Sequence, residues 1–280
     1  MKFLLPGIFL ILLCSCGYTP TSSPLIITGG GKSLPALQGP VIKFMSWNIH
    51  KEGNEKNWIN DILNTDCTKD PDILLFQEAS LNAGLKYVLK VKDLGWKFVS
   101  NAIKDKEYTG VLTASKSSSS INIPLISDGR EPITETPKVS LITSCVVNTK
   151  GMNTPVLIAN VHGMNFVRLK DFDGQIKNLY NKLLPYVEDR AIIVAGDFNT
   201  WSSDRALILN KYFSKLKLEE IKLKKAATPA WYVWLFTPVE RLPLDRVYYS
   251  VNKLSVEISE VLDCVKSSDH KPIYIEFMVR

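Results

Sequence analysis

The sequence predicts a layered α/β protein with mixed β-sheets, and three patterns indicate it. From Val41 onward, apolar runs of strand length alternate with segments in which apolar residues recur at helical spacing. The turn signal at 150–153 separates two strand-like runs, which is typical of a hairpin. The run at 191–195 is apolar throughout, as in a central strand that is buried on both faces. Hairpins mixed with helical crossovers favour helices packed on mixed sheets.

The individual elements follow from these periodicities. Strands are predicted at 41–49, 72–76, 139–148, 155–161, 191–195, 244–250 and 272–278. Helices are predicted at 58–63, 176–187 and 204–213. Ser202 and Ser203 are candidate N-caps of the last helix, because a serine hydroxyl can accept a hydrogen bond from a free backbone N–H of the first turn.

Composition excludes several classes of protein but selects no partner. The chain has 280 residues, of which 45% are hydrophobic and 22% are charged, so neither wholesale disorder nor a fibrous repeat fits. The net charge of +6 is a mild bias. The basic residues are dispersed, without the dense cluster expected of a dedicated nucleic-acid-binding protein. Nothing in the sequence points to a protein partner.

The N-terminal segment has the features of an export signal. Lys2 precedes an apolar run at 3–13, which is too short to cross a bilayer and reads as a secretory signal peptide. The following Leu13-Cys14-Ser15-Cys16 resembles a bacterial lipobox, which makes Cys16 the expected lipidation site. The alternative is a plain signal peptide with two incidental cysteines. We therefore expect a lipoprotein anchored in the bacterial cell envelope, either periplasmic or surface-exposed.

This interpretation divides the chain into three parts. Residues 1–15 are the expected signal peptide, and residues 16–40 the lipidated cysteine with a flexible tether, because this stretch is rich in Ser, Thr, Pro and Gly. Residues 41–280 are the expected catalytic domain. Three cysteines remain in the mature chain, so at least one is unpaired. Cys145 and Cys264 are expected to be buried thiols in strand-like runs, with no disulfide scaffold needed at this size.

Polar residues cluster where the predicted strands end or begin. They are Asn48, Gln77-Glu78, His162, Asn165, Gly196-Asp197-Phe198-Asn199, Asp245 and Ser268-Asp269-His270. In α/β sheets ligands gather at strand ends, so these side chains could converge. Carboxylate and amide oxygens suit Mg²⁺ or Mn²⁺ better than zinc. Each group taken alone is also compatible with an ordinary loop or a solvated strand end.

In their order along the chain, these residues resemble the endonuclease/exonuclease/phosphatase (DNase I-like) superfamily. The resemblance covers essentially all of 41–280, and the Gly-Asp-Phe-Asn and Ser-Asp-His segments are its most specific signs. It implies a four-layer α/β sandwich, with two mixed β-sheets packed face to face and helices outside. It also implies hydrolysis of a phosphoester with Mg²⁺, or alternatively Mn²⁺, as the cofactor.

The same resemblance implies a role for each residue. Asn48 and Glu78 would hold the metal, with a contribution from Asp269. Asp197 would orient or deprotonate the attacking water, and Asn199 would fix the phosphate or that water.

The remaining polar residues would act on the phosphate. His270 would contact a phosphoryl oxygen, with Asp245 accepting its other ring proton. His162 would protonate the leaving group or bind phosphate, and Asn165 would contact phosphate. His50 is expected to be a solvated loop residue.

Two weaker features bear on the substrate. Arg130 and Arg168 could supply phosphate contacts, although a surface arginine is an equally good interpretation. The aromatic segment Trp231-Tyr232-Val233-Trp234-Leu235-Phe236 could face lipid, stack on bases, or simply pack in the core.

The sequence therefore favours a metal-dependent phosphoester hydrolase at a membrane reached through the N-terminal lipid. A phosphodiesterase acting on nucleic acid or phospholipid is the most consistent interpretation, and a small-molecule phosphatase remains an open alternative. The alternative from another class is a non-catalytic envelope lipoprotein that uses the same fold as a binding module.

Overall fold

Two mixed β-sheets pack face to face, and helices cover the outer face of each. The computed structural model describes residues 17–31, 33–50, 56–225, 227 and 243–280. The predicted signal peptide, the proposed lipidation site Cys16 and the aromatic segment 231–236 lie outside these ranges. Within them, the four-layer α/β sandwich expected from the sequence is confirmed.

The first sheet contains seven described strands. Their order is β1 (Tyr18–Gly30), β5 (Gly95–Lys104), β6 (Glu107–Ser115), β4 (Ile73–Ser80), β3 (Val41–Asn48), β14 (Ile273–Val279) and β13 (Leu254–Val261). Strands β3 and β4 run parallel, and the other neighbouring pairs are antiparallel.

The second sheet also contains seven described strands. Their order is β11 (Leu218–Glu220), β12 (Asp245–Ser250), β10 (Ala191–Asp197), β9 (Met152–His162), β8 (Val139–Thr149) and β2 (Leu37–Gln38), with β7 (Asn122–Ile126) pairing separately with β8. Strands β9 and β10 are parallel, whereas β8 and β9 form the antiparallel hairpin predicted from the turn signal.

Side chains along a strand point alternately to its two faces, so a central strand contacts both the core between the sheets and the layer of outer helices. In β10, Ile193 faces the core between the sheets, while Ile192 and Val194 face the outer helices. In β4, Leu75 faces the inner core and Phe76 the outer layer. Both central strands are therefore buried on both faces, as the continuous apolar run at 191–195 indicated.

Five α-helices lie outside the sheets in the described residues. They are α1 (Lys56–Leu63), α2 (Thr65–Thr68), α3 (Ala83–Val91), α4 (Leu169–Leu183) and α5 (Ser203–Phe213). Short 3₁₀ turns at Leu184–Tyr186 and Ser214–Leu216 extend α4 and α5. Ser202 caps α5, since its side chain accepts a hydrogen bond from the Arg205 N–H at 3.4 Å, which confirms one of the two predicted caps. None of the described helices has the length and apolarity needed to cross a bilayer.

The segment expected to be a tether contributes a strand instead. Residues Tyr18–Gly30 pair antiparallel with β5 along its length, with a register shift between Pro20 and Leu25. Ile26 and Ile27 are partly buried and pack against two different apolar clusters. The composition of the segment suggested a solvated linker. Its backbone instead pairs with β5, and its two isoleucines pack against apolar clusters of the domain. The described fold therefore begins near Gly17 and not at Val41.

A disulfide joins Cys67 to Cys264, with their Cα atoms 6.0 Å apart. The expectation that Cys264 is a buried thiol in a strand is wrong, because β13 ends at Val261 and Cys264 lies in the turn that follows it. Cys145 is a buried free thiol on β8, as expected. Burial raises the pKa of the Cys145 thiol to about 12.

Candidate active site

Strand register brings the predicted polar residues to one edge of the sandwich. In the second sheet, Asp197 is paired with His162 on the parallel neighbour and with Asp245 on the antiparallel one. In the first sheet, Asn48, the last residue of β3, is paired with Gln77 of β4, the residue before Glu78. Because the two sheets face each other, both sets of strand ends open onto the same cleft.

The cleft has a volume of about 240 Å³. Its polar lining includes His50, Glu78, His162, Asn165, Asp197, Asn199, Asp269 and His270. Asn48 and Asp245 are buried and contact lining residues. The structure thus brings together the residues predicted for catalysis, phosphate binding and metal binding, whereas the predicted lipidation site Cys16 lies outside the described residues.

Asp197 lies at the centre of the group. Its Oδ2 accepts a hydrogen bond from Asn48 Nδ2 at 3.0 Å, and its Oδ1 accepts one from the Asn199 backbone N–H at 2.9 Å. Burial raises the pKa of Asp197, while the nearby His270 and the two hydrogen bonds act in the opposite direction. The carboxylate is thereby held in one orientation by donors from both sheets.

Contacts hold both the imidazole ring and the backbone of His270. Its Nδ1 lies 2.8 Å from Asp245 Oδ2, and its backbone carbonyl accepts a hydrogen bond from Trp47 Nε1 at 3.0 Å. Burial lowers the pKa of His270, but the surrounding carboxylates of Asp245, Asp197 and Asp269 outweigh this and raise it. A protonated imidazole with Nε2 toward the cleft is suited to an anionic ligand.

His162 lies between two carboxylates of the site. Its Nε2 is 3.6 Å from Glu78 Oε1 and 3.9 Å from Asp197 Oδ2. Its backbone carbonyl accepts a hydrogen bond from Gln175 Nε2 at 2.9 Å, which holds the end of β9 to α4. The imidazole is therefore directed at the carboxylates of the cleft.

Glu78 occupies a distorted part of β4. Its φ is 49°, and the pairing of β4 with β6 shifts register between Phe76 and Ala79. A bulge of this kind re-aims a side chain, and a non-glycine residue with positive φ is strained. The side chain of Glu78 is 18% exposed at the cleft.

The donor set fits a hard divalent cation. Asp269 Oδ1 lies 3.7 Å and Glu78 Oε2 lies 4.0 Å from the same atom, Nδ1 of His50. Two carboxylates thus approach one point in the cleft, with the amide of Asn48 nearby, and such oxygen ligands suit Mg²⁺ or Mn²⁺. Among the described residues, no three or more His, Cys, Asp or Glu side chains are already arranged so that together they could hold a metal ion. The side chain of His50 is 59% exposed, as expected of a solvated loop residue, and its Nδ1 is the atom that both carboxylates approach.

The two asparagines are tied to neighbouring loops. Asn199 Nδ2 donates to the Gly163 carbonyl at 2.9 Å, so one of its amide hydrogens links the ends of β9 and β10. Asn165 Oδ1 accepts a hydrogen bond from Trp201 Nε1 at 3.0 Å. In both residues the side-chain amide also helps to shape the loop that carries it.

A glycine is required where these two strands end. Gly196 has a φ of +144°, and a Cβ built there would lie 2.0 Å from the Val161 carbonyl oxygen. The glycine of Gly-Asp-Phe-Asn thus permits the close approach that sets Asp197 beside His162.

Sequence reasoning missed the residues that support the loops. Arg205 is almost fully buried and donates to the carbonyls of Met164, Asn199 and Val167 at 2.6, 3.2 and 3.3 Å. Burial lowers the pKa of Arg205 to about 10, although Glu131 and Asp197 favour the charged form. No local pattern distinguishes this arginine from a surface residue of a helix.

Glu131 also supports these loops, although the sequence singled out its segment, Arg130-Glu131-Pro132, only for possible phosphate contacts. Its Oε1 accepts a hydrogen bond from the Asn165 backbone N–H at 2.7 Å, and its Oε2 forms an ion pair with Lys138 at 3.2 Å. The neighbouring Arg130 is instead bonded to the Glu135 carbonyl, and Arg168 is 72% exposed and paired with Asp171. Neither arginine lines the described part of the cleft.

A family model decides the relationship of this chain to known proteins. The model of the endonuclease/exonuclease/phosphatase family matches residues 45–270, which include the site residues from Asn48 to His270. The chain belongs to this family. Its members are hydrolases that act on phosphoester bonds.

Relatives in sequence are similar over most of their length. A UPF0294 protein of Vibrio cholerae serotype O1 is 25% identical over 276 residues, covering 93% of this chain and 90% of the relative. A UPF0294 protein of Erwinia tasmaniensis is 25% identical over 252 residues, covering 88% and 84%.

Solved structures share the fold. An endonuclease/exonuclease/phosphatase from Beutenbergia cavernae has a TM-score of 0.63 at 14% identity, covering 86% of this chain and 72% of that one. The catalytic domain of human Nocturnin, solved with a bound sulfate anion, has a TM-score of 0.60 at 17% identity, covering 94% and 99%.

Proposed function

We propose that this chain is a divalent-metal-dependent phosphodiesterase held at the bacterial envelope by an N-terminal lipid on Cys16. The observation that carries the proposal is the convergence of Asp197, His162 and His270 with the carboxylates of Glu78 and Asp269 in one cleft. Phosphodiester hydrolysis needs an activated water, a stabilised phosphoryl oxygen and a protonated leaving group, and these side chains provide a candidate for each.

The contacts of each residue support the role proposed for it. Asp197, oriented by Asn48 and the Asn199 N–H, accepts a proton from the attacking water. His270, held by Asp245, donates to a phosphoryl oxygen through Nε2.

Two further residues act on the departing side of the phosphate. His162 donates to the leaving oxygen or to the phosphate itself, and Asn165 contributes a phosphate contact from the adjacent loop. Both positions line the same cleft as Asp197.

Glu78, Asp269 and Asn48 are the residues that would hold Mg²⁺ or Mn²⁺. Such a cation supplies charge neutralisation to a phosphodiester, whose negative charge otherwise repels a nucleophile. The two carboxylates that approach His50 Nδ1 support this assignment.

Two features support the envelope location. The first is the signal-like N-terminus with its lipobox-like Cys16. The second is the Cys67–Cys264 disulfide, since disulfides persist in exported proteins and are rare in the reducing cytosol. The alternative, a non-catalytic binding module, is disfavoured because it has no need for an aligned set of water-activating and phosphate-binding groups.

The first experiment tests turnover without assuming a substrate. The full chain, purified in detergent, is assayed on the soluble diester bis(4-nitrophenyl) phosphate with Mg²⁺ or Mn²⁺ and with chelator. Asp197→Asn should lower kcat by at least about a hundredfold, as expected for loss of a general base. The matched control is Asp189→Asn, an exposed aspartate at the opposite end of β10. Absence of activity in the unaltered chain would refute the proposed phosphodiesterase activity. Retained activity in Asp197→Asn would refute the assignment of Asp197 as the general base.

The second experiment tests the metal residues directly by titration calorimetry with Mg²⁺ or Mn²⁺. Glu78→Gln should weaken binding at least about tenfold, because a carboxylate ligand is lost. Glu219→Gln, at an exposed position on β11, should bind as the unaltered chain does. Equal affinities in the two variants would show that Glu78 does not hold the metal.

A further inference from the structure

The start of the fold lies beside the mouth of the cleft. Strand β1 begins at Tyr18, and Tyr18 is one of the residues that line the cleft. Only one residue, Gly17, separates Tyr18 from Cys16 in the sequence. Two residues of extended chain span at most about 7 Å, so chain length alone keeps the attachment point of a lipid on Cys16 within about 7 Å of the Tyr18 backbone.

Exposed apolar side chains also line the cleft, and Tyr18, Ile133 and Phe166 together are called the apolar rim below. Ile133 is 55% exposed and Phe166 is 43% exposed, and both line the cleft together with Tyr18. Single exposed apolar residues are common on protein surfaces, but here they line the same cleft as the carboxylates and imidazoles of the site. Aromatic and aliphatic side chains in this arrangement suit the interface between water and a bilayer.

Basic residues accompany this rim. Lys104 Nζ lies 5.3 Å from the centre of the Tyr18 ring. Arg130 and Arg168 do not line the cleft, and Arg168 is paired with Asp171, but both arginines are exposed and lie within three residues of Ile133 and Phe166 in the chain. Cations beside apolar side chains favour contact with a surface of anionic lipid headgroups.

The cleft is less suited to a nucleic-acid strand. Lys138 is the one lysine or arginine among its described lining residues, and it is paired with Glu131 at 3.2 Å. Binding along a nucleic-acid backbone depends on a basic groove that follows successive phosphates. The described lining offers a site for one phosphate, with apolar side chains at its edge.

From these positions we propose that the cleft opens onto the membrane that holds the Cys16 lipid, and that the substrate is a phospholipid phosphodiester in that membrane. This inference rests on the proposed phosphodiesterase function and specifies its substrate class. Water would add its oxygen to phosphorus, and the bond from phosphorus to one ester oxygen would break. The leaving oxygen takes a proton, giving an alcohol and a phosphomonoester, one of which keeps the acyl chains.

The test compares membrane-bound and soluble substrates. The full chain is purified and reconstituted in vesicles of phosphatidylethanolamine, phosphatidylglycerol, phosphatidylcholine, cardiolipin and sphingomyelin. Phosphomonoester release from each lipid is followed by ³¹P NMR with Mg²⁺ or Mn²⁺. Hydrolysis of bis(4-nitrophenyl) phosphate and of a single-stranded oligonucleotide is measured on the same preparation.

The rim is tested by the double variant Ile133→Ser/Phe166→Ser. Since each side chain contributes membrane contact through its apolar surface, the ratio of lipid cleavage to soluble-diester cleavage should fall about tenfold or more. The matched control is Met152→Ser/Leu184→Ser, two exposed positions at the ends of β9 and α4 that lie away from the cleft. This control should keep the ratio of the unaltered chain, and Phe166→Trp should keep most lipid activity.

The outcomes separate this inference from the proposed function. Cleavage of at least one vesicle lipid, with the ratio lowered only in the rim variant, supports the inference. Soluble-diester or oligonucleotide cleavage without lipid cleavage overturns it and leaves the phosphodiesterase intact. If the ratio of lipid cleavage to soluble-diester cleavage is the same in the rim and control variants, the proposal that the rim faces the membrane is overturned. No cleavage of any substrate by the unaltered chain refutes the proposed function, and the inference with it.

Discussion

His270 and Asp245 are 2.8 Å apart, from Nδ1 to Oδ2, although 25 residues separate them in the chain. Asp245 opens β12 directly beside Asp197, while His270 lies before β14 of the facing sheet. This contact therefore joins the two sheets at the cleft, and it leaves Nε2 of the imidazole as the ring atom nearer Asp197, at 4.0 Å. The orientation of the His270 imidazole thus depends on how the two sheets pack against each other.

The first prediction concerns this contact. Asp245→Asn keeps the size of the side chain but removes the negative charge that holds the imidazole. Hydrogen bonds to charged groups contribute about 1.5–3 kcal/mol, so kcat on a soluble diester should fall by about ten- to a hundredfold. Because Asp245 acts through His270, KM should change much less than kcat. Steady-state kinetics with a thermal unfolding control would measure this, and an unchanged kcat would show that the contact does not matter for turnover.

The second prediction concerns Arg205, whose guanidinium lies 4.4 Å from the centre of the Phe172 ring and 4.6 Å from that of Trp201. Arg205→Met leaves buried carbonyls without their donor. Since each unsatisfied buried group costs about 1–3 kcal/mol, the free energy of unfolding should fall by about 3 kcal/mol or more. Denaturant unfolding would measure the change.

The control for Arg205 is Arg168→Met, which removes an exposed arginine paired only locally with Asp171. Its free energy of unfolding should stay within about 0.5 kcal/mol of the unaltered chain. If both variants lose the same stability, the buried hydrogen bonds of Arg205 are not the cause.

Local sequence predicted the site because its residues follow apolar runs. Asn48, Glu78, His162 and Asp197 each mark the point where a periodic segment ends, and parallel pairing of neighbouring strands then brings these ends together. Arg205 carries no such signal, because a charged residue on a helix is usually exposed and its burial depends on loops over thirty residues away.

Long-range pairing explains the other differences. The Cys67–Cys264 bond joins residues 197 positions apart, and no spacing rule connects them. Strand β1 looks like a linker because its Ser, Thr and Pro residues have no regular apolar alternation. Its partner β5 supplies the hydrogen bonds that make it a strand.

The third prediction concerns the disulfide. Cys264 is followed within six residues by Asp269 and His270, so the bond to Cys67 restrains the segment that carries both. Cys264→Ser should lower the free energy of unfolding by about 2–4 kcal/mol, chiefly because the unfolded chain gains freedom. Cys67→Ser and the double variant should lose the same amount, and a reductant should destabilise only the unaltered chain. A larger loss in the double variant than in either single one would contradict a shared bond.

The last prediction concerns where the folded domain begins. A chain starting at Ser33 lacks β1, whereas a chain starting at Gly17 keeps it. Loss of β1 removes nine strand-paired positions and exposes the surfaces covered by Ile26 and Ile27. The shorter chain should therefore be less stable by about 2 kcal/mol or more, with a lower thermal midpoint. Calorimetry on the two chains would measure the difference.

Ile27→Ser in the longer chain should give part of the same loss, because that side chain packs against the outer apolar cluster of the first sheet. Equal midpoints for the two chains would instead support a tether, with the fold beginning near Val41.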